Sequence, residues 1–127
     1  MQYGYKREVE GAFPEVVERT KLSFANQGFG TLLEIDIQET FKRKLGVELD
    51  RYVILGVCNP SFAYEALQSE KDIGLLLPCN VIVYEARKKV SVATILPTVA
   101  MSIVENAALA NIAKEVEAKL KAAVDAV

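Results

Sequence analysis

Tyr52-Val53-Ile54-Leu55-Gly56-Val57-Cys58-Asn59-Pro60 is the stretch that decides the fold. The uncharged run from Tyr52 to Cys58 reads as a strand at the heart of a sheet. It falls far short of the roughly 20 apolar residues a membrane-spanning helix needs. Asn59 then supplies a helix N-cap, and Pro60 takes the first helical position, where its missing N–H costs nothing. That helix continues through Tyr64, Ala66 and Leu67 to about Ser69. A turn around Asp72 and Ile73 leads into Leu75-Leu76-Leu77-Pro78. From Cys79 to Glu85 the chain alternates, with Val81 and Val83 on one face and Ile82 and Tyr84 on the other. Ala86-Arg87-Lys88-Lys89 is a short connection, and Val90 to Leu96 returns as a strand. Strands joined so closely form an antiparallel hairpin.

On the N-terminal side, residues 2–9 alternate as a strand. Pro14 opens a helix whose inner stripe is Phe13, Val17, Thr20 and Phe24, and Gly28 caps it. Gly28-Phe29-Gly30 is not a dinucleotide loop: it follows a helix, opens a strand, and is followed by Leu33 where a third Gly belongs. Residues 31–36 form the strand. Asp36 and Glu39 then make a capping box for a short helix, whose Ile37, Phe41 and Leu45 are expected on a buried side. Gly46 ends that helix, and Lys42, Arg43 and Lys44 read as a solvated helix end rather than an anion site. Pro97 breaks the last strand. A terminal helix over about 104–126 carries a core-facing stripe of Leu109, Ile112, Val116, Leu120 and Val124. The apolar connection Thr98–Val104 is a candidate dimer contact, with burial inside the monomer as the alternative.

The 127 residues make one domain, 1–127, large enough to hold a core without staples. Histidine is absent, which removes Ser-His-Asp triads, Cys-His dyads and every His-ligated metal. The net charge of -2 gives no drive toward nucleic acid or anionic membranes. No basic segment precedes an apolar one at the N-terminus, so no signal peptide is expected. Two cysteines are too few for a disulfide framework, and a cytoplasmic protein with reduced thiols is the expectation.

Chemistry concentrates in two similar tripeptides, Cys58-Asn59-Pro60 at the end of one strand and Pro78-Cys79-Asn80 at the start of another. If these strands are antiparallel neighbours, the two thiols are expected close enough to meet. Cys58 sits ahead of a helix N-terminus, whose partial positive charge favours a thiolate, and the Asn59 and Asn80 amides can donate to a ligand. Three readings stay open. The pair handles sulfur species or redox chemistry; or it is a two-thiolate metal site short of ligands; or both cysteines are packing residues and both asparagines caps. Glu34 and Asp36 share one face of a strand and are weaker candidates for acid–base work, Asp36 being claimed by the capping box.

The blocks Gly28–Asp36 with Lys44-Leu45-Gly46, then Ile54–Pro60, then Ile73–Val81, in that order, resemble the domain-of-unknown-function 302 family. The resemblance spans nearly the whole chain and both Cys-Asn pairs. It implies a compact α+β domain that often forms a homodimer, and no established activity, substrate or cofactor. The element order read from the residues is β-α-β-α-β-α-β-β-α, an α+β two-layer sandwich with a mixed, largely antiparallel sheet. The function expected is small-molecule or sulfur-species binding, or thiol redox chemistry, through Cys58 and Cys79; the alternative is a non-catalytic structural or interaction module.

Overall fold

A computed structural model describes residues 1–127. The strands are β1 (Gly4–Val9), β2 (Gly30–Asp36), β3 (Tyr52–Cys58), β4 (Cys79–Ala86) and β5 (Lys89–Ile95). The helices are α1 (Phe13–Asn26), α2 (Ile37–Leu45), α3 (Pro60–Ser69), the single turn α4 (Pro97–Ala100) and α5 (Ala107–Asp125). A 3-10 helix covers Lys71–Leu76. The sheet runs β1-β5-β4-β3-β2 and every pairing in it is antiparallel. This is the expected α+β architecture with the expected order of strands and main helices, except that the sheet is wholly antiparallel rather than mixed and the turn α4 precedes a last helix that starts only at Ala107.

Alternation along the strands divides the sheet into two faces. Val53, Leu55 and Val57 of β3 register with Val83, Val81 and Cys79 of β4, and these six face the helices. With Val92 of β5, Phe24 of α1 and Leu120 of α5 they form the main core. Tyr52, Ile54, Ile82 and Tyr84 occupy the other face, which no helix of the core layer covers; there the Tyr52 and Tyr84 rings stack with centroids 5.5 Å apart. The hairpin turns on Arg87 and Lys88, both at positive φ, the twist that a two-residue connection requires.

Helix α5 buries Leu109, Val116, Leu120 and Val124 of its expected stripe, with Ile112 partly covered. It packs on α1, α3 and α4 within the same chain, burying Ala113 and Ala123 while its other alanines stay exposed. Helix α2 is where the expectation of burial fails. Asp36 caps it as read, accepting from the Glu39 N–H at 2.9 Å, and Gly46 closes it in the left-handed region. Yet none of its residues is buried: Phe41 and Leu45 are exposed and Ile37 is only partly covered. The reason is position. β2 is the last strand of the sheet, so the helix following it hangs beyond the core layer and touches mainly β3. Leu32, Leu33 and Ile35 on β2, and Val47 and Leu49 after α2, are exposed as well.

Candidate functional site

The β3–α3 corner is built from the strand end upward. Cys58 closes β3, and Asn59 caps α3 by accepting from the Phe62 N–H at 3.4 Å. The end of α1 abuts the same corner. Gly28 sits at φ +89°, and a Cβ there would lie 2.8 Å from the Asn59 amide nitrogen. Only glycine combines that backbone with that closeness. Phe29 follows, buried edge-on against Phe24 with ring centroids 6.4 Å apart. The turn reading of Gly28-Phe29-Gly30 therefore holds, and its aromatic ring walls the site.

Across the corner, Pro78-Cys79-Asn80 opens β4. Pro78 lies over Gly56, where a Cβ would come within 2.9 Å of its ring. Pro97, at the start of α4, is pinned by Glu117 of α5, which accepts from the Thr98 N–H at 3.1 Å and the Thr98 hydroxyl at 2.6 Å. Between these elements lies a cavity of about 40 Å³, walled by Cys58, Asn59, Phe62, Cys79, Ala113 and Met101 among others, twelve of its fifteen residues being hydrophobic. A wider groove of about 290 Å³ adjoins it and shares Leu77, Pro78, Cys79, Pro97 and Met101; exposed Asn80 lies on its wall.

Cys58, Asn59 and Cys79 thus line the cavity and Cys79 and Asn80 the groove beside it, but the thiols do not form the expected pair. Both are free, and they are not close. The register explains this: Cys79 faces Val57, one position short of Cys58, so strand alternation separates the two sulfur atoms. Burial, and secondarily the charge of Cys58, pushes the Cys79 thiol up to about 11. Cys79 is therefore protonated at neutral pH and is a poor nucleophile and metal ligand. No group of three or more Cys, Asp or Glu side chains is arranged to hold a metal ion.

Glu34 and Asp36 do leave the same face of β2, opposite Leu55 and Val53. Each already has a structural partner. Glu34 forms an ion pair with Lys21 of α1, and Asp36 is the α2 cap. The Glu34 and Glu18 carboxylates hold the Lys21 ammonium above the usual lysine range, so Lys21 stays charged. The wall residues Met101, Pro97 and Ala113 were not singled out from sequence as site residues. Met101 falls within the apolar stretch Thr98–Val104, of which Ala100 and Met101 line the groove while Val99 and Ile103 stay exposed.

The profile of the family described as domain of unknown function DUF302 matches residues 5–127. The chain belongs to this family. A crystal structure of an uncharacterized conserved DUF302 protein from Bacillus stearothermophilus is similar at 30% identity, covering 98% of each chain with a TM-score of 0.92. No curated protein matches the sequence. DUF302 membership fixes the fold and carries no activity with it. No helix of this DUF302 chain is long and apolar enough to cross a membrane.

Proposed function

We propose that this DUF302 protein binds a small, predominantly apolar molecule at the joined cavity and groove, with Cys58 and Asn59 at the inner end and Asn80 at the outer. The carrying observation is that two separate Cys-Asn segments line an apolar cavity and the groove beside it, which share the Cys79 wall. A cavity of about 40 Å³ admits a few heavy atoms, whereas an aromatic ring needs roughly 150 Å³. The ligand's bulk therefore rests in the groove, and a short apolar or sulfur-bearing end enters. Binding is favoured over dithiol redox chemistry because Cys79 is held protonated and apart from Cys58. As part of this reading the protein works in the cytoplasm, where both thiols remain reduced.

The test is chemical-shift mapping of the full chain with short-chain alcohols and thiols. Shifts should cluster on Ala63, Met101 and Ala113, and Ala63→Leu should abolish them while the fold persists. Shifts that are absent, or that survive Ala63→Leu unchanged, overturn the reading.

A second reading, an interaction module that self-associates as a homodimer, is favoured by a different observation: the β2–α2 segment leaves a run of large apolar side chains uncovered.

A further inference from the structure

The residues shared by the cavity and the groove come in two groups: Leu77, Pro78 and Cys79 leading into β4, and Pro97 and Met101 following β5. The first group is fixed by the sheet. Cys79 registers with Val57 of β3, and Pro78 lies over Gly56. The second belongs to a segment, residues 97–105, whose backbone is self-contained. All its backbone-to-backbone hydrogen bonds close within residues 96–106. At one end the Leu96 N–H donates to the Tyr3 carbonyl at 2.9 Å. At the other, Asn106 caps α5 and donates to the Ser69 carbonyl at 3.1 Å. Leu96 and Asn106 are both in extended backbone, so rotations there move what lies between them.

Between those ends one side chain ties the segment to another element by hydrogen bonds. One oxygen of Glu117 on α5 accepts from both the Thr98 N–H and the Thr98 hydroxyl, and the other lies 3.7 Å from the Lys121 ammonium. The carboxylate is mostly covered, with 15% of the side chain exposed, so these bonds are stronger than a surface pair would make. The remaining hold is apolar. Pro97 is buried, and Met101 and Val104 pack on Ala66, Ile73 and Leu109. Met101 is unbranched and adapts its packing readily. Val99 and Ile103 of the same segment are exposed.

We propose that residues 97–105 form a gate over the apolar site, with Glu117 and Thr98 as its latch. When the latch parts, Pro97 and Met101 withdraw and the cavity of about 40 Å³ opens into the groove of about 290 Å³. A chain of several carbons, which the closed cavity excludes, then has room to enter. The proposal rests on the binding reading above and adds how the site is entered. The latch is made in the empty and in the filled site and is broken only in passing between them. It therefore sets the rates of entry and exit and leaves the affinity nearly unchanged.

The experiment measures hexanol exchange by NMR line shapes in the full chain, in Thr98→Val and Glu117→Ala, and in Glu115→Ala as a control at an exposed position of the same helix. In the two latch variants entry and exit rates should both rise at least ~10-fold while the dissociation constant moves less than ~3-fold; the control should change neither. Amide exchange of the unsubstituted chain without hexanol gives a readout independent of variant folding. There the Thr98 N–H should exchange at least ~100-fold faster than those of Val81 and Val92 in the core. Hexanol that does not bind overturns the binding reading and this proposal together. Binding whose rates the latch variants leave unchanged, affinity lost without faster exchange, or a Thr98 amide no faster than the core overturns the gate alone.

Discussion

Helices α5 and α2 each begin on a side-chain cap, Asn106 and Asp36, and each carries an apolar stripe; α5 buries its stripe under the sheet whereas α2 buries nothing. The difference lies in topology. α5 lies against α1, α3 and the β1–β5 side of the sheet, while α2 follows a strand that has no further neighbour. Periodicity specifies that a helix forms and which side is apolar. What lies against that side depends on strand order, which no local pattern encodes.

The sharpest way to break the comparison is truncation of matching positions. Leu120→Ala should cost about 3 kcal/mol in urea unfolding, since Leu120 is fully buried and its removal leaves a cavity. Leu45→Ala, 69% exposed, should change the stability of the dilute monomer by less than ~0.5 kcal/mol. Similar losses at both positions would mean that α2 is packed within the chain after all.

Cys79 extends the comparison to the site, because it belongs to the well-covered region. Its thiol stays protonated in the folded chain up to about 11, above its ordinary value of 9.0, so the folded state binds the proton more tightly than the unfolded one. The associated stability is present below pH ~9 and is lost as the pH rises through ~11, a decline of roughly 2–3 kcal/mol. Urea unfolding at pH 8 and pH 11 should show that decline, reduced by this amount in Cys79→Ala. An identical decline in the variant would show that Cys79 is not the group responsible.

The architecture was legible because the signals around β3 and β4 agree with one another. The unbroken run at Tyr52–Cys58, the Asn59-Pro60 start and the alternation from Cys79 each require one structure. The candidate site was legible as residues and not as geometry. Cys58, Asn59, Cys79 and Asn80 do line a cavity and the groove beside it, but the one-position register offset that parts the sulfur atoms depends on how β3 meets β4. Met101 and Pro97 line the groove from a segment that Glu117 tethers through Thr98, a contact between elements that no sequence pattern announces.

The smallest expected effect concerns the caps. Asn106→Ala should lower global stability by about 1 kcal/mol, because α5 is part of the cooperative core. Asp36→Ala should leave the dilute monomer's global unfolding midpoint unchanged and accelerate amide exchange within Ile37–Leu45 alone. Matching midpoint shifts would place both helices in one cooperative unit.

Strand β1 finds its place only beside β5: Gly4 lies opposite Ile95 and Val9 opposite Val90. Arg7 of that strand also donates to the carbonyls of Val124 and Asp125, at 3.0 and 2.6 Å, at the close of α5. On a ribosome, therefore, β1 emerges long before β5, the strand it pairs with. Until β5 has been made the strand has no partner, so closure of the sheet comes late in the folding of the domain.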